Sequence, residues 1–227
     1  MDAHVYAATA LPTHRPTPPA RRASPVAPLA ICALCVLALA VVWGIAEHVH
    51  AAQLKDAALL RELTRMNHGA VHSLAGFMIH LLDPGLFILW GVALIAFAIA
   101  QERPRTGVAV FAILALAPLS AEVLKPLLAH PHITYGDVFV GPASWPSGHT
   151  TAGAALAIAA VLVAPPRWRP LVGVFAAAFA VGVGLSLLIH GAHMPSDVLG
   201  GYFVAFFWAA LAVAALRALE SRRRPSS

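Results

Sequence analysis

Two short stretches of this chain combine residue types that can hold an anion and move protons. The first is Trp145-Pro146-Ser147-Gly148-His149-Thr150, just ahead of a long apolar run. Pro146 sets the backbone, Ser147 is placed to cap a helix, and Gly148 lets an anion approach the main chain. The first turn of a helix offers free N–H groups and the positive end of its dipole, so these parts make an anion cradle. His149 adds a group that gives or takes a proton near neutral pH. A capped helix start with an incidental histidine reads the same way from these residues alone.

The second stretch is His193-Met194-Pro195-Ser196-Asp197. A histidine four residues before an aspartate at a helix start can form an imidazole–carboxylate pair. The carboxylate then fixes the tautomer and raises the basicity of the far ring nitrogen, which becomes a nucleophile or base. An Asp cap beside a loop histidine is the structural alternative. Lys125 follows Glu122 by three residues, so the two either pair on one helix face or leave the ammonium to an anion. His190 and His193 are three apart, and His130 and His132 two apart, as in some metal sites. Asp197 accounts for His193 better than a metal does, so no metal and no cofactor is expected.

The elements that must position these residues are membrane spans. Of 227 residues 59% are hydrophobic and only 11% charged. The mean hydropathy is +0.77. A soluble domain of this size needs far more charge to cover its surface. We expect an all-α polytopic bundle of six spans: Leu29–Ala46, Pro84–Ala100, Gly107–Leu128, Ser147–Ala164, Leu171–His190 and Ser196–Leu219. Residues 27–219 then form one membrane domain between basic tails at 1–26 and 220–227. A signal peptide competes for the first apolar stretch, but no clear cleavage site follows it, which favours an uncleaved span.

Between spans one and two, Glu47 to Asn67 is polar, with Leu54, Leu59, Leu60 and Leu63 at helical spacing. That pattern fits an amphipathic helix at the membrane surface. Gly69–Leu82 is apolar but short, as interfacial or re-entrant segments are. Cys32 and Cys35 sit inside an apolar run and read as small buried hydrophobes, not a redox pair.

The net charge of +5 does not point to nucleic acid, because the basic residues sit at the ends of apolar runs. With six spans, Arg103, Arg105, Arg167, Arg169 and both basic tails fall on one side. Lys55, Arg61, Arg65 and Lys125 fall on the other. That bias places both termini in the cytoplasm of a bacterial-type plasma membrane. Glu122, Lys125, His130, His132, His149, His190, His193 and Asp197 then gather at the outer ends of spans three to six. Ionisable groups so close to lipid are costly and mark function by default.

Taken together, these motifs resemble those of the type 2 phosphatidic acid phosphatase superfamily of membrane phosphatases, which are K-x6-R-P, P-S-G-H and S-R-x5-H-x3-D. The second is intact as Pro146-Ser147-Gly148-His149. The third is present as Ser186-Leu187, five residues, His193, three residues and Asp197. The first keeps Lys125, with His132 and Ile133 in place of Arg-Pro. The resemblance covers roughly residues 70 to 215. It implies that His193 attacks phosphorus to form a phosphohistidine and that Asp197 orients it. His149 would protonate the leaving oxygen and then activate water. Lys125, Ser147 and the Gly148 N–H would hold the phosphoryl oxygens, so that positioned donors supply the charge stabilisation.

The expected substrate is an amphipathic lipid phosphate or polyprenyl pyrophosphate, bound with its tail among membrane lipids. A phosphotransferase using the same site, or a non-catalytic binder of phosphate lipids, are the alternatives. Both arginines of the family pattern are replaced, by His132 and Leu187. Arginine supplies a permanent forked charge that leucine cannot. If His130, His132 and His190 compensate by protonation, activity should rise toward acidic pH. The oligomeric state is not encoded in any pattern we find.

Overall fold

The computed structural model describes residues 24–134, 136 and 138–221. Most of the expected N-terminal tail (1–26), with Arg15, Arg21 and Arg22, and the C-terminal Arg222–Arg224 lie outside the described residues. The described chain is all helical. Its elements are α1 (Val26–His48), α2 (His50–Thr64), α3 (Gly69–His80), α4 (Pro84–Ala100), α5 (Pro104–Leu127), α6 (Gly148–Val163), α7 (Arg169–Ile189) and α8 (Pro195–Ser221).

Proline starts several of them. Pro84, Pro104 and Pro195 open α4, α5 and α8, and Pro170 lies in the first turn of α7. There a missing N–H costs nothing and the fixed φ suits the helix. The far end of α6 is held from outside. Arg103 donates to the carbonyls of Val163 and Leu162 at 3.2 and 3.1 Å, and Gln101 to Val163 at 3.1 Å. A cation there also complements the negative end of the helix dipole.

By length and composition α1, α5, α7 and α8 can each cross a membrane. A fifth crossing results if α3 and α4, bent by 58° at their junction, act as one broken span. This differs from the expected six spans, which counted α4 alone and α6. They have 17 and 16 residues, fewer than the roughly 20 a straight crossing needs. At 1.5 Å per residue α6 is about 24 Å long. It lies in the middle of the bundle, packed on α5, α7 and α8.

Small residues make that central place possible. Ala154, Ala155 and Ala159 of α6 meet Val110, Ile113 and Ala117 of α5 and Val204 and Ala205 of α8, all buried. In lipid, where apolar surface gains little by leaving the solvent, close backbone approach through small residues is what holds helices together. The rim is apolar and exposed, with Leu34, Ile88, Val108, Phe111, Val174 and Phe175 facing outward. The protein is therefore an integral membrane protein.

The amphipathic reading of α2 gains a partner. Ala57 and Leu60 are buried against Leu188, Met194 and Val198 at the α7–α8 corner, with Val140 of the preceding loop beside them. Leu59 remains exposed. Cys32 and Cys35 are buried free thiols, as their place in an apolar run suggests.

Candidate functional site

The site is built where α6 and α8 begin. Ser147 caps α6, its Oγ accepting from Thr150 N at 3.3 Å and from Thr150 Oγ1 at 3.0 Å. Thr151 Oγ1 donates to Ser147 O at 2.8 Å and to Gly201 O at 3.2 Å. The Ser147 N–H donates to Asp197 O at 3.0 Å. That last bond ties the Pro146–His149 stretch directly to the His193–Asp197 stretch.

Two adjacent glycines on α8 allow the approach. A Cβ at Gly201 would stand 2.7 Å from Ser147 O and 2.9 Å from Thr150 Cβ. A Cβ at Gly200 would stand 2.8 Å from the Trp145 ring. Trp145, Ser147, Thr150 and Thr151 are all buried.

At the start of α8, His193 Nδ1 lies 3.3 Å from Asp197 Oδ2. The same oxygen accepts from Met194 N at 2.9 Å. Asp197 is fully buried, and its Oδ1 has no hydrogen-bond partner among the described residues. With Nδ1 turned to the carboxylate, the imidazole presents Nε2 as its free nitrogen. The expected imidazole–carboxylate pair thus forms. The Asp-cap alternative forms too, because the Asp197 carboxylate reaches back to the Met194 N–H in the manner of a capping box.

Lys125 ends α5 beside the α6 N-terminus. Its Nζ donates to Glu122 Oε1 at 2.6 Å, with side chains 22% and 58% exposed. A Cβ at Gly148 would come within 2.5 Å of Glu122 Oε1 and 3.3 Å of Lys125 Nζ. Glycine therefore leaves room for this pair against the first turn of α6. His149 is exposed at the mouth of the site, and the titratable groups that bear on it are His193, Lys125, Asp83 and Glu122. Asp83, at the α3–α4 bend, also pairs with His80.

The remaining expected residues divide. Half-buried His132 makes a hydrogen bond between Nε2 and Ser144 Oγ at 2.8 Å, and its ring meets that of His130 edge-on at 4.5 Å. Burial pushes the His132 imidazole below its ordinary pKa of 6.5, with Asp197 and Glu47 opposing and His130 and His193 reinforcing that fall. His130 is buried, its Nδ1 3.5 Å from Glu47 Oε2. His190 turns elsewhere. Its Nδ1 lies 3.1 Å from Ser186 O and its ring stacks at 5.0 Å on His72 of α3. Leu187 is buried with Leu82 and Val183 in a small apolar cluster. Among the described residues no group of three or more His, Cys, Asp or Glu side chains is arranged to hold a metal ion.

The family model described as the PAP2 superfamily matches residues 106–220. The chain belongs to the PAP2 superfamily. It is similar in fold to a crystal structure described as the first transmembrane PAP2-type phosphatidylglycerolphosphate phosphatase from Bacillus subtilis. That likeness has a TM-score of 0.68 at 19% identity, covering 88% of this chain and 98% of that one. No curated protein matches this chain by sequence.

In this PAP2 chain the site also depends on residues that no chemical motif marks, because they serve close backbone approach rather than substrate. Gly200-Gly201, a glycine pair inside an apolar run, was a readable sign of close helix approach. Asp56, whose carboxylate accepts from Ser196 N at the start of α8, carries no such sign, since nothing local tells a surface helix which distant element it will meet.

Proposed function

We propose that this chain is a membrane phosphatase that hydrolyses the phosphomonoester or pyrophosphate of an amphipathic lipid through a phosphohistidine. The single observation that carries this reading is the linked pair of contacts, His193 Nδ1 to Asp197 Oδ2 and Ser147 N to Asp197 O. They set a carboxylate-oriented imidazole beside a capped helix N-terminus with Lys125 and His149.

The chemistry follows in two steps. His193 Nε2 attacks phosphorus, a P–N bond forms and the P–O bond to the lipid breaks. His149 gives its proton to the leaving oxygen. Asp197 holds Nδ1–H and stabilises the positive charge that the ring acquires. Water then attacks the phosphohistidine, His149 takes its proton, and the P–N bond breaks to release phosphate. Lys125, Ser147 and the Gly148 N–H are the donors for the phosphoryl oxygens, acting where charge develops. His132, which lines a cleft with Ser196 at the start of α8, is the better candidate to share that role, whereas His190 in its stack with His72 is the weaker one.

With an even number of crossings, as in the six-span reading, the charge bias of the loops supports a site on the extracytoplasmic face with both termini in the cytoplasm. A head group at that face with its tail in lipid suits a site at helix ends. Substrate is best sought among phosphatidylglycerol phosphate, the class named for the Bacillus subtilis structure, phosphatidate and polyprenyl pyrophosphate. The test is phosphate release from each by purified wild type and His193→Ala. Release by wild type and its loss in the variant is expected. No release by wild type from any substrate would turn the reading to a non-catalytic lipid-binding protein.

A further inference from the structure

The start of α8 has a deficit that its own residues cannot meet. Because α8 begins at Pro195, Met194 is its N-cap, and the Met194 carbonyl accepts from Asp197 N at 3.0 Å and Val198 N at 3.2 Å. An N-cap side chain ordinarily accepts from the N–H of the second or third helical residue. A thioether does this poorly. The second residue is Ser196, and its N–H is met from α2, 140 residues away in sequence. Asp56 Oδ1 accepts from Ser196 N at 3.1 Å and Oδ2 accepts from Ser196 Oγ at 2.6 Å.

We propose that Asp56 is a positioning residue: it supplies from α2 the cap that Met194 lacks, and so fixes the first turn of α8 that holds Asp197 against His193. This rests on the phosphatase reading above. Met194, Ser196 and Asp197 occupy one turn, and Asp197 Oδ2 already divides itself between Met194 N and His193 Nδ1. If the turn loosens, that oxygen cannot keep both donors, and the imidazole loses its orientation. The contact is built to be stable. Ala57, next to Asp56, and Leu60 are buried against Met194, Leu188 and Val198, so the apolar face of α2 sets the carboxylate in register. Asp56 itself lines a small cleft with Gln53, His130, His132 and Ser196. The titratable groups facing it are Asp197 from α8 and His130 from the loop.

Burial raises the Asp56 carboxyl above its ordinary pKa, and the hydrogen bonds from Ser196 oppose that rise. A neutral amide would escape the desolvation penalty. It would still accept from Ser196 N while donating to Ser196 Oγ. Asp56→Asn should therefore preserve the cap and Asp56→Ala should lose it.

The test uses the full chain in detergent, comparing wild type, Asp56→Ala and Asp56→Asn. Asp56→Ala is expected to lower kcat at least ~10-fold, since small misplacement of a reacting group is costly, with KM within about twofold. Asp56→Asn should return kcat to within about threefold of wild type. Equal kcat in wild type and Asp56→Ala, an equal loss in both variants, or a loss that appears in KM would overturn the proposal. The second measurement does not need turnover. The rate of His193 carbethoxylation by diethylpyrocarbonate, read by mass spectrometry, should fall at least about threefold in Asp56→Ala and recover in Asp56→Asn. An unchanged or faster rate in Asp56→Ala overturns the proposal even if no phosphate is released by any form, which would instead tell against the phosphatase reading.

Discussion

The α6–α8 junction and the α5 end with its following loop face the same site but are held in opposite ways. At the junction the contacts run backbone to backbone or from buried hydroxyls, and a glycine sits where any side chain would collide. At the α5 end, Lys125 is held by an ion pair whose carboxylate side is 58% exposed, and His132 by one side-chain hydrogen bond. The difference teaches where this chain keeps its precision. His193 and Asp197, the proposed nucleophile and its carboxylate, are held by the fold, as suits groups whose relative geometry would set the barrier. The part of the proposed anion clamp that lies outside the α6 start is left to Lys125 and His132, long or titratable side chains that can adapt to the ligand.

The largest way to test that division is at the junction. His193→Ala should abolish phosphate release by at least ~10³-fold, as loss of a nucleophile does. Asp197→Asn should follow at roughly 10²-fold or more, because the amide no longer stabilises the charged ring. Next comes packing. Gly201→Ala would place a methyl 2.7 Å from Ser147 O, so α6 and α8 must separate. Overpacking of this kind costs about 1–3 kcal/mol. The accompanying shift should lower kcat by up to ~10²-fold. Gly141→Ala, in the loop, meets nothing within 4 Å and should leave both melting temperature and rate at wild-type values. Similar losses in the two glycine variants would erase the contrast between the regions.

The same contrast explains what was legible in the sequence. Hydropathy runs located the long helices, because membrane segments must satisfy their backbone internally and carry apolar surface outward. Ser147 as cap and the His193–Asp197 pair were readable because each is a short-range pattern. The crossing count was less so. Where α3 meets α4 the chain bends by 58°, and a linear window cannot tell a broken span from an interfacial helix beside a spanning one. Nor could spacing show that His190 would stack on His72 rather than face the anion site, since at a helix end a small rotation redirects the ring. Leu187 is the plainest case. The family motif places arginine there, yet here the position is a buried leucine in the apolar cluster with Leu82 and Val183.

At the α5 end the expected effects are smaller. Lys125→Ala removes a donor to a charged group, worth about 1.5–3 kcal/mol, and should raise KM or lower kcat/KM by roughly 10-fold or more. Glu122→Gln tests the opposite sign. In the present arrangement one of the three Lys125 N–H donors is spent on Glu122 Oε1, whose charge offsets what the ammonium offers a phosphate. An exposed pair of this kind is worth about 0–1 kcal/mol, so freeing the ammonium should improve kcat/KM by at most about fivefold. A loss in Glu122→Gln would mean that the carboxylate positions Lys125 rather than competing for it.

The smallest effect concerns His132, which stands where the family motif has arginine. On sequence grounds its protonation would restore a cation and activity would climb toward acid. The structure works against this. Burial holds its imidazole below the ordinary 6.5, so at neutral pH the ring is uncharged and its bond to Ser144 is a neutral one. The native state then binds this proton less readily than the unfolded chain does. Stability from His132 is present above pH 6.5 and is lost as pH falls through the lower native value. Between about pH 7.5 and about pH 6.5 the rate profiles of wild type and His132→Gln should run parallel. Below that, thermal unfolding in detergent should show wild type losing more stability with acid than His132→Gln. A wild-type rate that climbs between those two pH values, with the climb absent in His132→Gln, would show instead that substrate phosphate draws the proton onto His132 and that the loop completes the clamp after all.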